Sequence, residues 1–177
     1  MQLKTSKAKT QEVHLALRVT VICLKILVVY DTVSVNRNTE KVARAMSEVL
    51  KARGFDTDCL YVKDADPADV KNYDFILAGG PTQWLKATGT VTQFLERFAR
   101  NEFSGKLGAA FDTQLEAPPS GNAAKGIEKK LKKLGLKIIM PPLAAYVEGK
   151  MNEMRLKEGE MEKAKKYAED RANELHQ

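Results

Sequence analysis

The sequence predicts an α/β domain in which helices cover both faces of a parallel sheet, the doubly wound three-layer arrangement. Short apolar runs rich in Val and Ile alternate with stretches that carry apolar residues at helical spacing. Strands that alternate with helices are typical of βαβ units and hence of parallel sheets. The chain has 177 residues, 44% of them hydrophobic, which is enough for one domain with a real core.

The first strand of this core is predicted at residues 24–30, followed by a polar loop at 31–39 and a helix from Glu40. The run is short and rich in Ile and Val, as buried parallel strands are. Gly54 stands where a helix commonly ends. The first N–H groups of a helix lack intrahelical acceptors, so the 31–39 loop is a candidate anion site. A plain turn, capped by Asn38 or Thr39, is the alternative.

The remaining elements follow from the same patterns. Further strands are predicted at 55–62, 73–78, 106–111 and 136–140, a loop or short helical turn at 64–70, and helices from about Val91, after residue 121 and from about Glu158. In parallel sheets, ligands bind beyond the carboxyl ends of the strands. Three loops, 31–39, 79–89 and 112–122, should meet there, and all three are rich in Gly, Pro, Ser, Thr, Asn and Gln. Their convergence predicts a ligand site.

Residues 1–23 are predicted to be an extension that precedes a domain at 24–177. Residues 1–11 are polar and basic, whereas apolar residues alternate with polar ones from Val13 to Cys23, which predicts an extra N-terminal strand. His14 and Arg18 interrupt the apolar stretch, which argues against a secretory signal. Whether this strand joins the domain or pairs with another subunit is left open.

Composition narrows the classes of function. The two histidines lie near the chain ends, and neither cysteine has the spacing of a disulfide frame or a metal site, so no catalytic or metal-ligating residue is predicted. No apolar run suits a membrane span, and the phosphate-binding motifs GxxxxGK and GxGxxG are absent. A phospho-acceptor domain would need an aspartate where the third strand ends in Ala78-Gly79-Gly80. We expect a cytoplasmic protein that binds neither membrane nor nucleic acid.

Three motifs, in order and at suitable spacing, carry a resemblance to a known family. Residues 34–39 align with a phosphate loop of the pattern S/T-x-T-G-x-S/T, residues 80–82 with G-S/T-P-T, and residues 110–113 with a third loop. On these motifs, residues 24 to about 150 resemble a flavodoxin of the short, single-domain prokaryotic kind. The resemblance implies a five-stranded parallel sheet in the order 2-1-3-4-5, FMN as cofactor, and electron transfer with a redox partner protein.

The resemblance also implies which residues hold FMN. They are Ser34, Val35, Asn36, Arg37, Asn38 and Thr39 in the first loop, Pro81, Thr82, Gln83 and Trp84 in the second, and Asp112, Thr113, Gln114, Ser120, Gly121 and Asn122 in the third. Trp84, the single tryptophan of the chain, is the candidate to stack on the ring; a partly buried core position is the alternative. Arg37 stands where the family has glycine, so it either reshapes the loop or donates to the phosphate.

Three functions are consistent with these observations. The first is an FMN-binding electron carrier. The second is a flavin-dependent NAD(P)H or quinone reductase, whose substrate pocket a second copy in a homo-oligomer would complete. The third is a related domain that has lost FMN and serves as an interaction module. The net charge of +6 permits nucleic acid or an acidic partner but requires neither. The lysines at 125–137 are interpreted as a solvated face, with a docking patch as the alternative.

Overall fold

The structure, a computed structural model, describes residues 24–116, 121–150 and 153–175. The strands are β1 (Lys25–Tyr30), β2 (Asp56–Tyr61), β3 (Phe75–Gln83), β4 (Lys86–Ala87), β5 (Leu107–Leu115), β6 (Lys137–Ile138), β7 (Leu143–Glu148) and β8 (Arg155–Leu156). The helices are α1 (Asn38–Ala52), α2 (Pro67–Val70), α3 (Gly89–Leu95), α4 (Ala123–Lys133) and α5 (Glu160–Leu175). The strand predicted at 13–23 lies outside the described residues.

One sheet organises the fold, with its strands in the order β2-β1-β3-β5-β7-β8. The pairs from β2 to β7 are parallel, and β8 is antiparallel to β7 at the edge. The predicted doubly wound fold is therefore confirmed, and so is the order 2-1-3-4-5 if β5 and β7 are counted as the fourth and fifth strands. The central strand β1 is buried from Ile26 to Tyr30, as its continuous apolar run predicts.

Helices cover both faces of this sheet. Side chains of β1 alternate between the faces: Leu27 and Val29 pack in the cluster that contains α3 and α4, whereas Ile26 and Val28 pack in the cluster that contains α1 and α5. Helix α5 presents a buried stripe of alanines at positions 164, 168 and 172, so its backbone approaches its neighbours closely. In the ranges that the structure describes, no helix has the length and apolar character needed to cross a membrane.

Strands β3 and β5 extend beyond their predicted ends. Residues 80–83 and 112–115, predicted as loop, continue the two strands, which pair in parallel as far as Pro81 and Thr113. The Gly79-Gly80-Pro81 sequence predicts a turn, but β1 ends its pairing with β3 at Gly79. Beyond that point β3 has a free side, where proline, which cannot donate to a ladder, is tolerated. The prediction that both strands end early is therefore wrong.

The fifth strand predicted at 136–140 is also corrected. Within these residues the structure has only the short strand β6, which pairs with Leu107 and Gly108 of β5. The strand that pairs with residues 111–115 of β5 is β7, which begins later in the chain, at Leu143. Pro141 and Pro142 stand between them. Because neither proline carries a backbone N–H, the ladder is interrupted there and resumes at β7. The carboxyl half of the sheet edge is thus built by residues that the sequence pattern does not identify as strand.

Candidate functional site

A cavity of about 730 Å3 opens at the carboxyl ends of β3 and β5, beside the loop that follows β1. Its volume is within the usual range of small-molecule sites. Of the predicted site residues, it is lined by Ser34, Asn38, Pro81, Thr82, Gln83, Trp84, Thr113 and Gln114. The three loops expected to converge therefore do so. Assignment of these residues to a cofactor stays a prediction.

Five cavity-lining residues were not predicted: Val33, Leu85, Leu115, Val147 and Met154. Val147 lies on β7 and Met154 directly precedes β8, two strands that the sequence pattern does not reveal. Val33, Leu85 and Leu115 are apolar residues in stretches that the sequence predicts as polar loops, and each is more than two-fifths exposed. An exposed aliphatic residue in a polar loop is the signal that could have identified them. They make part of the cavity wall apolar.

The first loop turns sharply at Arg37. The backbone N–H of Arg37 donates to the Ser34 carbonyl (2.9 Å), and the N–H of Asn38 donates to the Ser34 hydroxyl (3.3 Å). Arg37 lies in the left-handed region with φ 51° and ψ 43°, directly before α1, and its side chain does not cap the helix. This conformation is unfavourable for an L residue, because its Cβ lies too close to the following carbonyl oxygen. The backbone therefore keeps the geometry that glycine would provide, although arginine stands there.

The guanidinium of Arg37 is directed to Glu40, with which it forms an ion pair. Glu40 also accepts a hydrogen bond from Arg44 (2.7 Å). Burial would raise the pKa of Glu40, but the hydrogen bond from Arg44 and the charge of Arg37 outweigh burial and lower it. The Arg37 side chain is mostly exposed and does not line the cavity. It is thus held along α1, away from the cavity.

Two asparagines tie the first loop to the segment before β8. The side-chain amides of Asn36 and Asn38 both donate to the Met154 carbonyl, at 2.9 and 2.8 Å. The Thr39 hydroxyl is 2.7 Å from that of Thr113, which joins the start of α1 to β5. Val35 is 83% exposed and takes no part in these contacts. These contacts fix the loop from two sides, through β5 and through the segment that precedes β8.

The second loop is a β-hairpin with bulky residues at its tip. Thr82 pairs with Ala87 and Gln83 with Lys86, so Trp84 and Leu85 are the two turn residues. Their φ angles are 49° and 70°, the conformation of a type I′ turn, which usually takes Asn-Gly. Trp84 is 93% exposed, so its interpretation as a core residue is wrong. Strain at exposed apolar residues favours a functional role for this tip.

Asp112 connects the second and third loops. The Oδ2 atom of this fully buried carboxylate accepts from the Thr82 hydroxyl (3.0 Å) and from the Ala124 N–H (3.0 Å). The Thr82 hydroxyl oxygen accepts in turn from the Ala123 N–H (2.9 Å). Burial raises the pKa of Asp112, and these hydrogen bonds only partly oppose the effect. Asp112 therefore fastens the start of α4 to the strand ends and does not line the cavity.

The other predicted residues of the third loop shape the start of α4. The Asn122 side chain accepts from the Lys125 N–H (2.7 Å) and caps the helix. Gly121 has φ 70°, and a Cβ there would lie 2.2 Å from the Leu85 Cα, so only glycine permits the hairpin tip to pack so closely. Ser120 lies outside the described residues. Thr113 and Gln114 are the predicted site residues of this loop that line the cavity.

Two acceptors on cavity-lining residues have no hydrogen-bond partner among the described residues. They are the Asn38 Oδ1 and the Gln114 Oε1, both buried. Leaving a buried polar atom unpaired costs about 1–3 kcal/mol, and native structures contain few such atoms. Because both belong to cavity-lining residues, a ligand whose hydroxyl or N–H donors reached them would satisfy both atoms. The cavity therefore has the polar character of a binding site as well as its volume.

Known proteins share the fold described above. The model of the flavodoxin family matches residues 28–167. A flavodoxin from the domain Archaea aligns with a TM-score of 0.69 at 22% identity, over 87% of this chain and 100% of its own. Flavodoxin 2 from Bacillus cereus aligns with a TM-score of 0.70 at 22% identity, over 85% of this chain and 99% of its own.

A longer protein contains the same fold. Rubredoxin oxygen:oxidoreductase from Desulfovibrio gigas aligns with a TM-score of 0.67 at 19% identity, over 86% of this chain and 36% of its own. At these identities the structural matches show the fold alone. No curated protein sequence matches the chain.

The strain at the hairpin tip can be measured. We expect a variant that combines Trp84→Asn with Leu85→Gly to raise the free energy of unfolding by about 1–2 kcal/mol, because Asn-Gly suits the left-handed positions. The combination of Trp84→Ala with Leu85→Ala is the control, since it removes the same side chains but keeps the backbone cost. Urea unfolding compares the two. Equal stability of the two variants would show that the turn is not strained.

Burial of Asp112 predicts a pH-dependent effect of its amide variant. Because the pKa of Asp112 is raised on folding, the folded state binds more protons between the unfolded and folded pKa values, and wild-type stability falls as pH rises through that window. The stability of the Asp112→Asn variant does not fall in this way, because an amide does not titrate. The stability of the variant relative to wild type should therefore increase from about pH 4 towards neutral pH. Urea unfolding at several pH values tests this, and a pH-independent difference would contradict it.

Proposed function

The chain belongs to the flavodoxin family, and on that premise we propose that it binds FMN in the cavity and exchanges electrons with a partner protein. The observation that carries the proposal is the convergence of the three loops on one cavity whose lining includes two unpaired buried acceptors. A cytoplasmic location is part of the proposal. The free thiol of Cys59 is consistent with a reducing compartment.

The residues of the cavity fit the chemical groups of FMN. A phosphate needs N–H and O–H donors, which the start of α1, the Ser34 hydroxyl and the amide of Asn38 supply. Ribityl hydroxyls and the ring N–H need acceptors, which the Asn38 Oδ1 and the Gln114 Oε1 supply. Trp84, at the cavity mouth, offers an aromatic face to a planar ring. Each part of the cofactor thus has a matching group.

When bound, FMN would supply a ring that accepts and donates electrons, while the chain would bind it, orient it and exclude water. The apolar wall of Leu115, Val147 and Met154 lowers the polarity of the cavity. Ser34 and the start of α1 would hold the anionic end. Asp112 fastens the start of α4 to the end of β3, so the hairpin tip with Trp84 and the end of β5 with Gln114 would both be held beside the cavity. This arrangement suits a carrier in which the cofactor performs the chemistry.

A second function, an interaction module without FMN, is favoured by two observations. Arg37 occupies the position of the family's glycine at a left-handed φ, and the Asn36 and Asn38 amides already donate to the Met154 carbonyl. The absence of flavin binding would support this function. Turnover of NAD(P)H by the flavin-loaded protein would instead move it to the reductase class.

The first experiment compares FMN with riboflavin, which lacks the phosphate. We expect the flavin absorbance spectrum to shift on addition of protein and FMN to bind about tenfold to a hundredfold more tightly, since charge-assisted hydrogen bonds contribute about 1.5–3 kcal/mol. Ser34→Ala should weaken FMN and leave riboflavin unchanged, whereas Thr90→Ala, on α3, is the control. Equal affinity for both flavins would refute the proposed phosphate site.

The second experiment separates the backbone of Arg37 from its charge. We expect Arg37→Gly to have a free energy of unfolding roughly 1–2 kcal/mol higher than Arg37→Ala in urea, because glycine removes the left-handed penalty. The two variants should have a similar affinity for FMN, because the loop is already left-handed without ligand. Arg37→Ala should resemble wild type, since the guanidinium is paired with Glu40. Flavin titration measures all three. Much weaker binding by Arg37→Ala would show instead that the guanidinium turns to the phosphate.

A further inference from the structure

Three lysines form a line along the exposed side of α4. Lys125, Lys129 and Lys133 are all exposed and recur every four residues, which places them about 6 Å apart along the helix axis. The ion pairs of α4 instead use Lys130, with Glu96, and Lys132, with Glu128. In the part of the chain that the structure describes, the three lysines of the line have no carboxylate partner.

The first two lysines of this line do not serve the stability of α4, whereas Lys133, in the last turn, suits the negative end of the helix dipole. Like charges four residues apart on a helix repel each other. Lys125 also lies in the first turn, near the positive end of the helix dipole, and that turn carries no acidic residue. Both effects destabilise the helix slightly. Unpaired positive charge that the fold does not require, at Lys125 and Lys129, is better explained by a partner of opposite charge.

The lysine line begins beside the hairpin tip. Gly121 packs directly on the backbone of Leu85, and the Ala123 N–H donates to Thr82 of the hairpin, so the first turn of α4 adjoins Trp84. Lys86, the next residue of the hairpin, is exposed. We call the set Trp84, Leu85, Lys86, Lys125, Lys129 and Lys133 the tip–α4 surface. An exposed tryptophan beside a charged rim is the usual anatomy of a binding hot spot.

The charges around the cavity mouth make this surface positive. Several carboxylates near the mouth are paired: Glu40 with Arg37 and Arg44, Glu116 with Lys157, and Glu148 with Arg155. Glu153, directly before the cavity-lining Met154, is exposed and has no ion pair among the described residues. The lysine line is not offset in this way. Together with a net charge of +6, this pattern would attract and orient a negatively charged molecule over the cavity mouth.

We propose that the tip–α4 surface docks an acidic protein, whose carboxylates face the lysine line and whose apolar residues cover Trp84 and Leu85. The exposed aliphatic residues at the mouth, Val33, Val35 and Leu115, favour a protein over a nucleic acid, because they offer no face on which bases stack. The proposal rests on the proposed function, because the acidic protein that docks is the electron-transfer partner. Docking itself uses surface residues and does not require FMN.

The test measures binding of two acidic probes, a [2Fe–2S] ferredoxin and poly-L-glutamate, by surface plasmon resonance, with a basic cytochrome c as the charge-reversed control. Each is measured with and without FMN. Emission of Trp84, the single tryptophan, reports contact at the tip with poly-L-glutamate. We expect both acidic probes to bind, the cytochrome not to bind, and affinity to fall between about 0.02 M and 0.3 M salt as screening increases.

Two triple variants with the same charge change locate the interaction. Lys125→Gln with Lys129→Gln and Lys133→Gln should lower the association rate about tenfold. The control, Lys51→Gln with Lys165→Gln and Lys166→Gln, alters α1 and α5 on the opposite face of the sheet and should change it less than about twofold. Equal effects of the two triples would refute the proposal, because net charge rather than the surface would then govern binding.

The remaining outcomes decide between the proposals. Failure of both acidic probes to bind overturns the docking site, whether or not FMN binds. Binding of the probes by a protein that does not bind FMN retains the docking site and overturns the electron-carrier function alone. Tighter binding of a single-stranded DNA oligonucleotide than of either acidic probe, lost in the α4 triple variant, would assign the surface to nucleic acid instead.

Discussion

The buried carboxylate of Asp112 is the contact on which the geometry of the site depends. It accepts hydrogen bonds from β3, through Thr82, and from the first turn of α4, through Ala124. Thr82 also accepts from Ala123, so the end of β3 and the start of α4 are linked twice. The hairpin tip, the lysine line of α4 and the cavity wall all begin at these elements. The carboxylate satisfies a helix N–H group, that of Ala124, which would otherwise be unpaired. Its own burial is unfavourable and offsets part of this gain.

The sequence pattern predicts the sheet well and its edges poorly. The apolar run of β1 is buried on both faces, so its burial and its parallel pairing are visible in composition alone. The ends of β3 and β5 depend on which neighbour continues beside them, a property of the assembled sheet. Pro81 illustrates this, because it is compatible with a strand only where β1 has stopped pairing. The position of β7 likewise follows from Pro141 and Pro142 together with the space left beside β5.

The candidate site was predictable where side chains line the cavity directly, as Ser34, Gln83 and Gln114 do. It was not predictable where a residue acts through a helix terminus, as Asp112 and Asn122 do, since a motif does not show which way a side chain points. Backbone conformation is a further limit. Non-glycine residues with positive φ in the described ranges are Arg37, Trp84, Leu85 and Asn101. Trp84 and Leu85 line the cavity and Arg37 lies in the loop beside it. Each costs about 1–2 kcal/mol, against a typical total stability of about 5–15 kcal/mol.

The hydrogen bonds from Asn36 and Asn38 to Met154, which tie the first loop to the segment before β8, affect how the loop could bind a phosphate. The Met154 carbonyl accepts from both asparagine amides, so an anion that approached the loop would meet groups already in use. A side-chain amide nitrogen carries two hydrogens, however, and a bond to Met154 engages one of them. The tie thus orients each amide and leaves its second hydrogen free to donate. It also fixes the Asn38 Oδ1, the unpaired acceptor of the same side chain, in a single direction. The segment before β8 therefore acts as a support that preorganises the loop, which reduces the ordering cost of binding a ligand there.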